Sequence, residues 1–440
     1  MKMSVIGCGH LGATLAACMA SIGHDVIGVD IDAGKVTLLN SGKSWFYEPG
    51  LDPMLAKTIA AGRLRFTTSF ATAAEFATVH FLGVPTPGQS NGSYDLSLLY
   101  TAVRALVPHL RGENLIIGKS TVPPGTGARL QAMTCDLVEL GQASAEVVWN
   151  PDFQREGYAV QDTLRPDRIV VGTFGSSVAE TLREIYRPLT DAGIPLIITD
   201  HSTAELAKGA ANAFLAMKIS FINAMADICA ATGGDIGVLA VALGMDPRIG
   251  MDFLRAGIGY GGPSLPTDVR GLGTFARELG TQNAATLLTA VNEINAARAD
   301  QAVALVEEAV NGLAGKRVAA WGATFRADTD DVRDSAALLA ADRLRSLGAT
   351  VTVYDPMGSG NAQASYPELR YADSAAAAAT DADVVVVLTA WPEFARADPA
   401  EIADVARGAA VVDACQGISA VVWHDAGWHV SSLTGSAVRD

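Results

Sequence analysis

Two polar side chains, Lys208 and Asn212, interrupt a long apolar helical pattern that runs from residue 202 to residue 232. They are four residues apart, so an α-helix places both side chains on one face. A cation and an amide presented together could stabilise a developing negative charge and add a directed hydrogen bond. The alternative is a lysine that extends to solvent beside an ordinary surface amide.

A glycine pattern near the N-terminus predicts a cofactor site. Gly7, Gly9 and Gly12 have the spacing G-x-G-x-x-G, between an apolar strand pattern and an apolar helix that begins near His10. The first glycine permits a tight turn, the second lets the backbone approach a pyrophosphate, and the third allows close helix–strand packing. Asp30 ends the next strand, where its carboxylate would accept hydrogen bonds from ribose hydroxyls and repel a 2′-phosphate. The pattern therefore predicts NAD rather than NADP; a glycine turn without a ligand is the alternative.

The composition argues against several classes of function. The chain has 440 residues and a formal net charge of -15, which disfavours a surface for nucleic acid or for an anionic membrane. Its five cysteines are scattered without metal-ligand spacing, which predicts a reduced, cytoplasmic protein with no metal site. A strand pattern begins at once after Met1, so we expect no signal peptide, and no uninterrupted apolar run has membrane-spanning length.

The order of apolar patterns predicts three segments. Residues 1–197 alternate short β-branched runs with helical patterns, as in a doubly wound parallel sheet, and residues 313–440 repeat this α/β order. Residues 198–312 contain two long helical patterns, the second over about 271–310. The predicted α/β fold is thus two Rossmann-like doubly wound domains joined by a central helical domain, whose long helix offers a dimer surface.

These patterns resemble the UDP-glucose/GDP-mannose dehydrogenase family along nearly the whole chain. The resemblance implies an N-terminal NAD domain, a central dimerisation domain and a C-terminal domain that binds the nucleotide sugar. It also implies an NAD-dependent oxidoreductase acting on the C6 alcohol of a UDP-sugar of the UDP-glucose type, working as a homodimer. Besides the glycine loop, the segments that carry the resemblance are Glu48–Leu51, Gly83–Pro87, Lys119–Thr126, Asn150–Phe153, Pro166–Arg168, Glu205–Lys208, Asn212–Ala216, Lys218–Asn223, Arg248–Gly250, Ile258–Asp268, Thr329–Arg333 and Val353–Pro356.

The resemblance also implies roles for individual residues. Lys208 would stabilise the alkoxide with help from Asn212, and Arg248 would reach across the dimer. Asp268 would lie close to Lys208 and either hold a water or tune the charge of the lysine. The residues implied in catalysis are Lys208, Asn212, Ser264, Asp268, Thr121 and Asp152. Those implied in NAD binding are Gly7, Gly9, His10, Leu11, Gly12, Asp30, Lys35, Thr86, Thr121 and Arg333. Those implied in substrate binding are Phe153, Glu156, Lys208, Asn212, Arg248, Phe253, Gly257, Gly261 and Arg326.

Several positions depart from the family pattern. Ser264 stands where the family has its nucleophilic cysteine, and Thr267 stands where it has a lysine near the cofactor. Asp152 replaces a glutamate and is one methylene shorter. The run Asp-Ala-Cys-Gln at 413–416 lacks an arginine that grips the nucleotide sugar in the family, which suggests an altered sugar or nucleotide.

The serine bears on the second of the family's two oxidations. In the family the cysteine thiolate attacks the aldehyde left by the first hydride transfer, a second hydride transfer gives a thioester, and water releases the acid. A thiol has a pKa near 8.5, whereas an alkyl hydroxyl stays protonated unless a base activates it, and no histidine neighbours Ser264 in sequence. We therefore hypothesise that the first oxidation survives and that the reaction stops at the aldehyde.

Two alternatives stay open. One is the full four-electron oxidation to the uronate, with Ser264 or a hydrated aldehyde in place of the thiohemiacetal. The other is a non-catalytic protein that binds a nucleotide sugar or NAD. The ratio of NADH formed to sugar consumed separates the aldehyde from the acid, because the acid requires twice the NADH of the aldehyde. A non-catalytic protein would form no NADH. The sequence names neither the sugar nor the base, and it leaves C5 epimerisation of the aldehyde open.

Overall fold

The computed structural model describes residues 1–138, 143–175 and 178–435. The chain forms two compact units, Met1–Ala211 and Asn212–Asp440, and each is described by itself.

The first unit is built on a doubly wound sheet whose described strands have the order β3-β2-β1-β4-β5-β6-β7-β8. Neighbouring strands are parallel except at β6 and β7, which meet in one antiparallel pair. The central strands Lys2–Ile6 and Val79–Leu82 are mostly apolar and buried, as strands covered by helices on both faces are. The strands are β1 (Lys2–Ile6), β2 (Asp25–Val29), β3 (Leu64–Thr67), β4 (Val79–Leu82), β5 (Gly112–Gly118), β6 (Ala143–Trp149), β7 (Ile169–Gly172) and β8 (Leu196–Thr199).

Helices cover both faces of this sheet. Successive strands are added toward one edge from β1 to β3 and toward the other edge from β4 onward, so the strand order reverses between β1 and β4. That reversal opens a crevice at the carboxyl ends of the strands, where doubly wound folds bind ligands. The helices are α1 (His10–Ser21), α2 (Ala33–Asn40), α3 (Leu51–Ala60), α4 (Phe70–Phe76), α5 (Ser97–Leu106), a 3₁₀ turn (Val107–His109), α6 (Thr126–Leu137), α7 (Ala159–Leu164), α8 (Ala179–Thr190) and α9 (His201–Thr232), which continues into the second unit.

The second unit contains a parallel sheet whose described strands have the order β11-β10-β9-β12-β13-β14, so it repeats the same winding. Its central strand β12 consists of four buried valines, the β-branched composition expected of a strand covered on both faces. The strands are β9 (Arg317–Trp321), β10 (Thr350–Tyr354), β11 (Arg370–Tyr371), β12 (Val384–Val387), β13 (Ala410–Asp413) and β14 (His429–Ser432). The helices are α10 (Ile236–Gly244), α11 (Leu265–Glu278), α12 (Gln282–Val310), α13 (Ala336–Ser346), α14 (Ser359–Ser365), α15 (Ala375–Ala379), α16 (Pro392–Ala395), α17 (Pro399–Val405) and α18 (Ala420–Asp425).

The helical middle of the chain differs from the sequence prediction in two places. Helix α10 was not predicted. The single helix expected over about 271–310 is two helices, α11 and α12, because Gly280 has a left-handed φ of 71° and breaks the first. Helix α9 matches its predicted span and begins where the Asp200 carboxylate accepts a hydrogen bond from the Thr203 amide. By length and hydropathy alone α9 could cross a membrane, a test that core helices of water-soluble proteins also pass.

Candidate active site

The glycine loop after β1 has the geometry that the spacing predicts. Gly7 has a φ of 88°, and a Cβ on Gly12 would lie 1.8 Å from the Gly7 carbonyl oxygen, so only glycine allows this contact of helix and strand. A Cβ on Gly9, in contrast, would meet no atom within 4 Å. Gly9 also caps α1 without a side-chain hydrogen bond, which leaves the first amides of the helix available to an anion. The loop therefore fits a dinucleotide pyrophosphate.

Asp30 follows β2 and is tied to the same loop. Its carboxylate accepts hydrogen bonds from the Cys8 amide at 2.9 Å and the Asp32 amide at 3.0 Å. Each carboxylate oxygen can accept a second bond, so Asp30 can still receive the ribose hydroxyls that the sequence assigns to it.

Three more residues predicted to bind the cofactor lie around this loop. The His10 ring packs on Phe46 and on the edge of Trp45, with ring centroids 4.1 and 4.9 Å apart. The Lys35 ammonium lies 4.2 Å from the Trp45 ring centroid, a cation–π contact. Leu11 is half-buried in the first turn of α1. Trp45, which the sequence analysis did not single out, thus links His10 to Lys35.

The segments after β4 and β5 come together as predicted. The Thr86 hydroxyl donates to the Thr121 carbonyl at 2.7 Å, and the Ser120 hydroxyl donates to the Val84 carbonyl at 2.5 Å. These bonds hold the two strand ends side by side. Thr121 is half-buried there. The structure thus places Thr86 and Thr121 together at this edge of the sheet.

A buried lysine that sequence reasoning passed over lies beside Asp152. Lys119 follows β5, and its ammonium donates to the Asn150 side-chain oxygen at 3.0 Å and lies 3.9 Å from the Asp152 carboxylate. The Tyr186 hydroxyl donates to the same oxygen of Asn150. Burial lowers the pKa of Lys119 and raises that of Tyr186. A lysine placed directly after an apolar strand was the available signal for this cluster.

Lys208 is buried in the first half of α9. Its ammonium lies 5.6 Å from the ring centroid of Phe153, one of the predicted substrate residues. One turn earlier, the Glu205 carboxylate accepts hydrogen bonds from the amides of Gly125 and Gly127, at 2.6 and 2.5 Å. Burial raises the pKa of Glu205, while these two bonds oppose the rise. Glu205 therefore fixes the start of α9, and with it Lys208, against the start of α6.

Glu156 lies in a segment that another buried carboxylate holds in place. The oxygens of Glu48 accept hydrogen bonds from the amides of Gly157 and Ala159, each at 2.8 Å. Glu48 is itself part of the resemblance to the dehydrogenase family, and its contacts assign it a positioning role next to Glu156.

Asn212, Asp268 and Ser264 belong to the second unit. The Asn212 amide nitrogen donates to the Asp268 carboxylate at 2.5 Å, and both side chains are buried. Ser264 caps α11, where its carbonyl accepts the Asp268 amide at 2.8 Å and its side chain is exposed. The structure thus pairs Asp268 with Asn212. Lys208 lies in the other unit, so its predicted proximity to Asp268 stays a prediction.

The loop before Ser264 packs closely on the segment that contains Arg333. A Cβ on Gly261 would lie 2.3 Å from the Asp334 carbonyl oxygen, and the Gly262 amide donates to the Arg333 carbonyl at 3.0 Å. Arg333 itself is exposed and ion-paired with Asp331. Arg326, on the loop after β9, is half-buried. Gly261 thus has a packing role that accounts for glycine at this position.

Two further predicted substrate residues lie in a loop held by buried polar groups. The Gly257 amide donates to the Asn223 side-chain oxygen at 2.8 Å, and Arg298 donates to the Gly257 carbonyl at 2.9 Å. Phe253 has a left-handed φ of 63°, a strained conformation for an aromatic residue. Arg248, in contrast, is exposed and paired with Asp246.

Three sequence models of one family match consecutive parts of this chain. They are the NAD-binding domain (residues 1–190), the central domain (202–297) and the UDP-binding domain (319–419) of the UDP-glucose/GDP-mannose dehydrogenase family. The chain belongs to this family. It is therefore an NAD-dependent oxidoreductase of a nucleotide-sugar CH–OH group, as the sequence analysis predicted.

Relatives with high coverage agree with this assignment. The chain is 41% identical over 401 residues to a UDP-glucose 6-dehydrogenase of Rhizobium meliloti, covering 90% of this chain and 91% of that protein. It is 40% identical over 408 residues to a UDP-glucose 6-dehydrogenase of Haloferax volcanii, covering 90% and 93%. The structure of a UDP-glucose dehydrogenase from Pyrobaculum islandicum superposes with a TM-score of 0.90 at 33% identity, covering 98% and 97%.

These similarities confirm the predicted family, α/β fold and NAD cofactor. The division at residues 197 and 312 and the individual residue roles stay predictions for this family member. So does the consequence of its exposed Ser264 at the start of α11.

Proposed function

We propose that this dehydrogenase oxidises the C6 primary alcohol of a UDP-sugar of the UDP-glucose type and releases the aldehyde. The observation that carries the proposal is the side chain of Ser264. It is exposed at the start of α11, and no group in the described part of the chain accepts a hydrogen bond from its hydroxyl. A serine without a base stays protonated near neutral pH and is a poor nucleophile toward an aldehyde.

The first oxidation needs a stabilised alkoxide and a hydride acceptor. NAD, held by the glycine loop and Asp30, would supply the acceptor. The Lys208 ammonium would stabilise the negative charge that develops on the sugar oxygen. One N–H of the Asn212 amide is bonded to Asp268, which orients the amide and leaves its second N–H for the sugar oxygen. With NAD taking the hydride and a water taking the hydroxyl proton, these side chains suffice for the first oxidation without a thiol.

The second oxidation lacks two of its parts. A Ser264 adduct would yield an oxygen ester, whose alkoxide is a poorer leaving group than the thiolate of a thioester. Asp152, the residue in place of the family's glutamate, is the counterion of Lys119 rather than an unpaired base. Both features favour release of the aldehyde over conversion to the uronate.

We also propose that the enzyme is a homodimer. Phe214, Phe221 and Ile228 recur at seven-residue intervals on α9, and each is about half exposed, at 58%, 48% and 54%. Large exposed apolar side chains in one stripe are typical of a protein–protein interface. Arg248 is exposed as well, and we propose that it reaches the partner's site.

The stoichiometry of the reaction tests the proposed product. The enzyme should release about one NADH per UDP-glucose consumed, and mass spectrometry should detect the aldehyde or its hydrate. Ser264→Cys should release a second NADH, because the thiolate restores the covalent intermediate. Ser346→Cys, which places a thiol at the exposed end of α13, is the matched control and should leave the ratio unchanged.

Two outcomes would contradict the proposal. If the wild-type enzyme forms the uronate with two NADH per sugar, Ser264 does not limit the reaction. If no UDP-, GDP- or dTDP-sugar yields NADH while these ligands still raise the unfolding temperature, the protein is a binding protein and not an enzyme.

A further inference from the structure

Lys119 is a buried cation that has no assigned part in the first oxidation. It lies directly after β5, and its side chain is only 9% exposed. An ammonium group is almost never buried unless partners compensate for its lost hydration. Its position at the carboxyl end of a central strand is also where doubly wound sheets place ligand-binding groups.

The surroundings of Lys119 are rigid. Strands β5 and β6 are neighbours in the sheet, so Lys119 and Asn150 leave it side by side. Asn150 uses its side-chain oxygen for Lys119 and Tyr186, and its amide nitrogen donates to the Val170 carbonyl at 2.7 Å. The Asp152 amide donates to the Lys119 carbonyl at 3.2 Å, which holds this carboxylate next to the lysine.

Three ionisable groups face Lys119 from three different elements. Asp152 follows β6 and is the opposite charge, Lys208 on α9 is a like charge, and Tyr186 on α8 contacts it through Asn150. Burial is the main cause that lowers the pKa of Lys119; Asp152 opposes this shift and Lys208 adds to it. Lys119 and Lys208 therefore act on each other electrostatically within one unit of the fold.

We propose that Lys119 is a positioning residue for the dehydrogenation, which fixes Asp152 as its counterion and adds a second positive charge to that of Lys208. The physical reason is that a negative charge developing on the substrate oxygen is stabilised by every nearby cation that water does not screen. The ammonium has three N–H donors and donates to Asn150, so it keeps donor capacity beside the Asp152 carboxylate. This role rests on the proposed function for its substrate.

The pH dependence of the rate of the first oxidation tests this role of Lys119 directly. Deprotonation of Lys119 removes the second charge, so the rate should fall at alkaline pH, at a pH below that of an ordinary lysine. Lys119→Arg keeps the charge and should move this alkaline limb upward by about one pH unit or more. Asp152→Asn removes the counterion and should move the limb downward.

Lys119→Met should lower kcat by about tenfold or more, with KM and NAD affinity changed much less. Lys57→Met, at an exposed position on α3, is the matched control and should change none of these.

A second measurement is independent of turnover. In protein labelled with carbon-13 at the lysine Cε, the Lys119 resonance, assigned by its absence from Lys119→Arg, should titrate below the ordinary lysine pKa of about 10.4. The Asp152→Asn variant should lower that pKa further. Titration of Lys119 at the ordinary lysine pKa, or an alkaline limb that neither variant moves, would overturn the role of Lys119. The proposed product is judged separately by the NADH-to-sugar ratio, so the two ideas can fail independently.

Discussion

The two glycines that open α1 give a sharp test of the cofactor site, because the structure predicts different effects on stability for the same substitution at each position. In Gly9→Ala the new methyl group would meet no atom within 4 Å, and the backbone of Gly9, at φ -71° and ψ -165°, is accessible to alanine. We therefore expect a free energy of unfolding within about 0.5 kcal/mol of wild type. The same methyl group would occupy the space above the free amides of α1, where the pyrophosphate would bind.

The expected loss of NAD affinity follows from those amides. Blocking one charge-assisted hydrogen bond costs roughly 1.5–3 kcal/mol, which raises the Kd for NAD by about 10- to 100-fold. In Gly12→Ala the methyl group would lie 1.8 Å from the Gly7 carbonyl oxygen, about 1.6 Å inside ordinary contact at 3.4 Å. Backbone must then move, at a cost of about 1–3 kcal/mol, so this variant should lose stability as well as affinity.

Thermal unfolding and calorimetric titration with NAD measure both quantities on the same samples. Gly9→Ala should have the unfolding temperature of wild type and bind NAD weakly. Gly12→Ala should have an unfolding temperature on the order of 5 °C below that of wild type. Normal NAD affinity in a folded Gly9→Ala protein would refute the placement of the pyrophosphate on this loop. Normal stability in Gly12→Ala would refute the close packing of α1 on β1.

Two further predictions concern stability and assembly. Burial lowers the pKa of His80 to about 4, so the folded protein keeps it neutral while the unfolded chain takes up a proton below pH 6.5. This contribution to stability is complete above pH 6.5 and lost toward pH 4. Between pH 7.5 and pH 5 the free energy of unfolding, measured in urea, should fall by about 2 kcal/mol through His80 alone. His80→Gln should remove that part of the acid sensitivity. Phe221→Asp should convert the dimer to monomers in light scattering, whereas Phe174→Asp, at a similarly exposed position of the first unit, should not; a monomeric wild type would contradict the dimer.

Short-range features of the sequence were predicted well because they depend on local geometry. The spacing of Gly7, Gly9 and Gly12 fixes backbone contacts within one turn, and all three proved to have the expected surroundings. The bounds of α9 were predicted nearly to the residue, since a long apolar helical pattern leaves few alternatives. The break at Gly280 was missed because α11 and α12 have a continuous helical pattern on both sides of it.

Long-range features were predicted less well, because no spacing reports them. Lys119, Asn150 and Tyr186 are distant in sequence, and only the order of the strands brings them together. The pairing of Asn212 with Asp268 likewise joins two helices across 56 residues of chain. The segments that resemble the family contain all of these positions except Tyr186, but the resemblance did not show which side chain contacts which.

The contact between Lys119 and Asp152 also sharpens what the Ser264→Cys variant should do. A thiolate at position 264 restores capture of the aldehyde and transfer of the second hydride, but the thioester must still be hydrolysed. If hydrolysis needs an unpaired carboxylate, Asp152 cannot supply it while Lys119 is its counterion at 3.9 Å. The variant should then release the second NADH only once per active site and carry an adduct on residue 264 in intact-mass spectra. Steady release of uronate would instead show that Asp152 does not limit hydrolysis, and that the serine alone separates this enzyme from complete oxidation.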